Sequence, residues 1–86
     1  MNKENLADYR KRIDEIDAEI GKFIRERLEI VGKVGKLKVN SDISVTDEER
    51  IKKVYKNFAE KSGLCLNDAK KIYSPLIEYC IEMEEK

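Results

Sequence analysis

The chain has 86 residues, enough for one domain (1–86) with a small core, and 42% of them are charged against 41% hydrophobic. Its 18 Lys and Arg balance 18 Asp and Glu, so the formal net charge is zero, which weighs against a nucleic-acid partner that needs a basic excess. There is no His, which takes imidazole out of any zinc site, general base or activated nucleophile, and Cys65 and Cys80 stand too far apart for a metal-spaced pair.

From Leu6 to about Val39 no proline interrupts the chain. Leu6, Tyr9, Ile13, Ile16, Ile20, Phe23, Ile24, Leu28, Val31, Val34 and Leu37 recur there at a spacing of three and four. This predicts one helix of about 33 residues, about 50 Å long. An 86-residue globule has no use for such a length, so a partner chain is expected to cover the rest of the stripe. A polar turn follows over residues 40–45. Thr46 is expected to open a second helix, with Glu49 completing a T-x-x-E capping box, and Ile51, Val54, Tyr55 and Phe58 supply its apolar face. Gly63 should end it. A third helix, capped by Asn67, is predicted to run to the C-terminus with Ile72, Tyr73, Leu76, Ile77, Cys80 and Met83 inward, kinked at Pro75. The fold class is therefore all-α with three helices. No segment has the length and apolarity of a membrane span, and the N-terminus has no apolar signal core. A cytoplasmic protein with no membrane contact is expected, with both cysteines as packing thiols.

Most charges fit solvated helix faces: Lys11, Arg12, Glu15, Lys22, Lys52, Lys53, Lys56 and Lys70 need no further account. Arg27 and Lys38 are different. On a helical projection they fall near the centre of the apolar stripe, about 20° apart around the axis and about 16 Å apart along it. One such cation is ordinarily a snorkelling side chain. Two on one centre line suggest a grip for a small polyanion. Arg10 lies about 100° away from Arg27 around the axis. Asp47 and Arg50 share a face at the start of the second helix, which by itself is an ordinary first-turn arrangement. Glu84 follows Cys80 by four residues on the inner face of the third helix. Periodicity alone reads it as a frayed terminal carboxylate.

Taken in order, these positions resemble the all-helical chorismate mutase family over nearly the whole chain. Leu6-Ala-Asp-Tyr-Arg10-Lys-Arg-Ile-Asp-Glu-Ile-Asp17 is similar to that family's opening, L-x-x-x-R-x-x-I-D-x-I-D. Ile24-Arg-Glu-Arg27 looks like its L-x-x-R element, and Val34-Gly-Lys-Leu-Lys38 like V-x-x-x-K. Asp47-Glu-Glu-Arg50 resembles the D-x-x-R that starts the second helix, and Ile77-Glu-Tyr-Cys80-Ile-Glu-Met-Glu84 falls where the family has I-E-x-S-x-x-x-Q. Each fragment is short, but the spacings of 17, 11, 9 and 3 residues from Arg10 to Arg50 make the set specific.

The resemblance implies an intertwined homodimer in which the long first helices pack together. Arg10 then enters the partner's site, and Arg27, Lys38, Asp47, Arg50, Cys80 and Glu84 come from one chain. The implied reaction is the Claisen rearrangement of chorismate to prephenate, which is unimolecular and needs no metal or cofactor. Arg10 and Arg27 would clamp the carboxylates, with a bidentate geometry that Lys cannot reproduce. Lys38 would donate to the ether oxygen, Asp47 and the backbone near it would receive the ring hydroxyl, and Arg50 would order Asp47 or the substrate. Arg27, Lys38 and Glu84 would carry the catalysis.

Three positions depart from the family pattern: Ile51 stands where mutases usually place Glu, Cys80 where they place Ser, and Glu84 where Gln is commoner. A carboxylate facing an ether oxygen repels it, whereas a carboxylic acid donates a hydrogen bond, so Glu84 is expected to work protonated. Ile51 leans toward isochorismate pyruvate lyases, which share the fold, while Asp47 leans toward the mutases. A non-catalytic helical interaction module is the remaining reading.

Overall fold

The computed structural model describes residues 5–41 and 47–85. Among them every regular element is helical: α1 Leu6–Ser41, α2 Glu48–Ser62 and α3 Leu66–Glu85. The chain separates into two compact units, Met1–Ile30 and Val31–Lys86.

The first unit holds the opening of α1. Asn5 caps it, its Oδ1 accepting from the Asp8 amide at 3.0 Å while its carbonyl accepts from the Tyr9 amide at 3.2 Å. α1 as a whole is 36 residues long, two residues past its expected end at Val39, which is about 54 Å of helical rise. Within the first unit no other described element covers its apolar stripe. Leu6, Tyr9, Ile13, Ile16, Ile20, Phe23 and Ile24 are all exposed, Phe23 by 67% and Leu6 by 61%. Seven large apolar side chains left in water in 19 residues is a deficit that a stable chain must cover.

The second unit contains the end of α1 together with α2 and α3. Asp47 is the N-cap of α2, extended at φ −116° and ψ 98°, with its carboxylate accepting from the Arg50 amide. Thr46, the expected cap, lies outside the described residues. Gly63 ends α2 in the left-handed region at φ 75°, donating to the Ala59 carbonyl at 3.0 Å, as its position predicts. α2 packs on α3, and the rings of Phe58 and Tyr73 stack at 4.1 Å between centroids with planes 13° apart. Ala69, Ile77 and Cys80 of α3 are the buried hydrophobic core among the described residues.

Three expectations need correction. α3 begins at Leu66, not after an Asn67 cap: the Cys65 carbonyl accepts from the Ala69 amide at 2.9 Å. Starting there sets Ala69, fully buried, within the first turn, so packing and not capping preference chose the boundary. Cys65 is accordingly exposed and is no packing thiol, whereas Cys80 is buried. Ile72, expected inward, is 62% exposed, because its neighbour Tyr73 takes the place against α2. α3 runs on through Pro75 as one helix.

Candidate active site

The second unit brings two of the predicted residues into direct contact. Lys38, in the last turn of α1, sits with Nζ 2.9 Å from Glu84 Oε1 near the end of α3. Their side chains are only 18% and 9% exposed. The cation at the C-terminal end of α1 also faces the partial negative charge of the last carbonyls, which favours it there. The Lys38–Glu84 contact is close without being well directed. Oε1 is enclosed, and among the described residues no donor is aligned on it as a hydrogen bond requires. A buried ion pair contributes little net stability once desolvation is counted. A poorly aligned one contributes less, so stability is a weak reason for its presence. Cys80 lies one turn before Glu84 on α3 and is 4% exposed, which places its thiol on the same inward face.

Asp47 and Arg50 meet at the start of α2, through Asp47 Oδ1 and the backbone amide of Arg50 at 3.1 Å. Both residues are exposed. Asp47 is therefore held by a backbone group through Oδ1. Any residue at position 50 with an amide could supply that bond. Arg10 and Arg27 belong to the first unit, Arg10 exposed and Arg27 half-buried on α1. The surface lysines and Arg12 behave as expected, with Arg12 joined to Glu15 at 3.3 Å in open solvent.

A groove of about 850 Å³ lies between α2 and the start of α3, floored by Ile51, Tyr55, Ala59 and Leu66. Lys70 Nζ stands 5.8 Å from the centre of the Tyr55 ring at its edge. Burial, and secondarily the charge of Glu78, raises the Tyr55 phenol above its ordinary range, so it stays protonated at neutral pH. Neither Lys38 nor Glu84 lines this groove, and it is distinct from the charged pair. No cluster of three or more metal-ligating side chains occurs among the described residues. No described helix is long and apolar enough to cross a membrane.

Sequence reasoning missed one feature of this region. Gly35 is buried, and its position against Glu84 has no signature in periodicity, because a glycine adds nothing to an apolar stripe.

Among the described residues there are three helices and no strand, the first helix is long, and a lysine and a glutamate meet within the second unit, which together define an all-helical fold. Comparison with known proteins gives the family. The model for chorismate mutase type II matches residues 9–85, and the chain belongs to that family. A chorismate mutase of Methanocaldococcus jannaschii is 37% identical over 79 residues, covering 88% of this chain and 80% of that protein. A bifunctional chorismate mutase/prephenate dehydratase of Aquifex aeolicus is 27% identical over 89 residues, covering 96% of this chain and 25% of that larger protein. No solved structure gives a significant match.

Proposed function

We propose that the chain is a chorismate mutase, an isomerase that rearranges chorismate to prephenate by holding its compact conformer and stabilising the charge that develops in a polarised transition state. The observation that carries the mechanism is the enclosed Lys38–Glu84 pair, in a chain of this family. The reaction breaks one C–O bond and forms one C–C bond within a single molecule, with no proton transferred in the net change. The protein therefore contributes orientation and fixed charge.

As the ether bond breaks, its oxygen gains negative charge. Lys38 is the donor for it, preorganised in a site with little water, and Glu84 addresses the same oxygen from the other side. In the resting chain these two hold each other, so the ether oxygen has to be received between them. A carboxylate there repels it and a hydrogen-bond donor assists it, so Glu84→Gln, which places an amide donor at that position, is expected to keep or raise kcat for chorismate. A Glu84→Gln variant as inactive as Glu84→Ala would overturn this role. Cys80 adds a weak donor beside Glu84. Asp47 uses Oδ1 as the helix cap, and its Oδ2 is the oxygen offered to the ring hydroxyl. Arg50 and Arg27 supply guanidinium groups to the carboxylates and hydroxyl edge of the substrate.

The working unit in this reading is a homodimer. Six of the exposed apolar residues, Leu6, Tyr9, Ile13, Ile16, Ile20 and Phe23, stand at alternating steps of three and four, the spacing of a seam between two long helices. A second copy of α1 covers such a seam with its own, and Arg10, set off the centre line, is then the residue delivered to the partner's site.

Ile51 favours a second reading, isochorismate pyruvate lyase. It is half-buried directly after Arg50, an aliphatic side chain where a mutase has a hydroxyl acceptor. Incubation with each substrate separately decides between the two. Loss of the ultraviolet absorbance of chorismate with formation of prephenate is expected, whereas salicylate and pyruvate from isochorismate alone would establish the lyase.

A further inference from the structure

A glycine inside a helix costs about 0.5–1 kcal/mol relative to alanine, and α1 contains Gly21, Gly32 and Gly35. At Gly21 and Gly32 an added Cβ meets nothing within 4 Å. At Gly35 it meets Glu84, at 3.4 Å from Cα, 3.4 Å from Cγ and 3.7 Å from Cβ. Gly35 thus marks a close approach of α1 to the backbone of α3 at Glu84, one helical turn before Lys38. The methylene whose rotation swings the Glu84 carboxyl lies against the bare Cα of Gly35.

We propose that Gly35 is a positioning residue for the reaction: its missing side chain leaves the Glu84 carboxyl free to swing from its resting contact with Lys38 toward bound substrate. The proposal rests on Lys38 and Glu84 being the site described above. The resting pose gives the carboxyl a reason to move, because Oε1 is enclosed and, among the described residues, lacks an aligned donor. A ligand oxygen received between Lys38 and Glu84 requires the Glu84 carboxyl to move; rotation about Cα–Cβ carries Cγ with it, and an alanine methyl 3.4 Å from the resting Cγ narrows the space open to that movement. At 3.4 Å an alanine methyl is in ordinary van der Waals contact with the resting side chain, so the fold accepts it. It then walls off one side of Cγ. Stability and activity should separate at this position.

The test is Gly35→Ala, with Gly32→Ala as a control at an open position. The melting temperature of Gly35→Ala is expected to hold or rise, since alanine is the better helix former. Its kcat for chorismate should fall by up to about tenfold, the effect of forcing a side chain off its preferred rotamer, with KM little changed. Gly32→Ala should keep the parent's kcat. In a Glu84→Ala background, which has no Cγ, adding Gly35→Ala should change kcat no further. NMR relaxation of the Glu84 side-chain methylene in the resting protein should show greater order in Gly35→Ala. A Gly35→Ala variant that melts markedly lower, keeps full kcat, or loses as much in the Glu84→Ala background overturns the positioning role. Unchanged Glu84 order overturns it even if the parent has no mutase activity. That last outcome, absence of chorismate turnover in the parent, is the separate failure of the functional reading.

Discussion

Lys38→Ala is expected to lower kcat/KM for chorismate by about a thousandfold, a loss of about 4 kcal/mol of transition-state stabilisation, as removal of a preorganised donor to a developing oxyanion does elsewhere. The same change removes the partner of Glu84, whose side chain is 9% exposed, and leaves an uncompensated carboxylate in little water. Breaking a buried pair costs about 3–5 kcal/mol, and the residual exposure of Lys38 brings the expected penalty nearer 2 kcal/mol. For a chain of this size that is about 10 °C in melting temperature. The two effects are separable. Adding Glu84→Gln to Lys38→Ala replaces the stranded charge by a neutral amide, so thermal stability should recover most of its loss while activity stays down. Recovery of activity together with the melting temperature would make Lys38 a structural residue and remove it from the chemistry. The comparison needs only thermal melts and the chorismate absorbance assay on the two variants.

If Arg10 and Arg27 clamp the substrate carboxylates as proposed, Arg10→Ala and Arg27→Ala should each lower activity alone by at least about a hundredfold, because each leaves a carboxylate without its bidentate partner. Unfolded together and refolded as a mixture, the two are expected to recover about a quarter of the parent's activity, since random pairing of protomers makes half of the dimers mixed and half of their sites intact. In the proposed dimer the intact site takes Arg27 from one protomer and Arg10 from the other. A mixture as inactive as its components would mean that both arginines come from the same chain, or that no dimer forms, and equilibrium sedimentation of the parent separates those outcomes. The motive for the dimer is the seam itself. Leu6, Ile13, Ile20 and Phe23 are 61%, 54%, 48% and 67% exposed, and burying such side chains yields about 1.5–3 kcal/mol each. Disrupting that seam with a charge, as in Ile13→Glu, should abolish activity and dimerisation together.

Much of this was legible along the chain because it is local. Helical period, the stop at Gly63 and the absence of His are properties of neighbouring residues or of composition, and they fixed three helices and a chemistry without imidazole. The order Arg10, Arg27, Lys38, Asp47, Arg50 and Glu84 carried the family, which comparison then established over residues 9–85. The misses share one cause. The start of α3 at Leu66, the exposure of Cys65 and the outward place of Ile72 all depend on which side chains of α3 meet α2, and a helical wheel has no partner in it.

Glu84 is the sharpest case of the division. Periodicity took it for a frayed terminal carboxylate, and only the packing of α3 against the end of α1 encloses it 2.9 Å from Lys38. Gly35 is the converse, silent in the sequence because it offers no side chain to a pattern, yet decisive where two backbones must pass within contact of one another. The sequence by itself determined which charges the protein owns and which helices carry them, since both follow from residues a few positions apart. Tertiary structure alone decided which of those charges lose water and face one another, because desolvation and close approach are properties of two segments far apart in the chain.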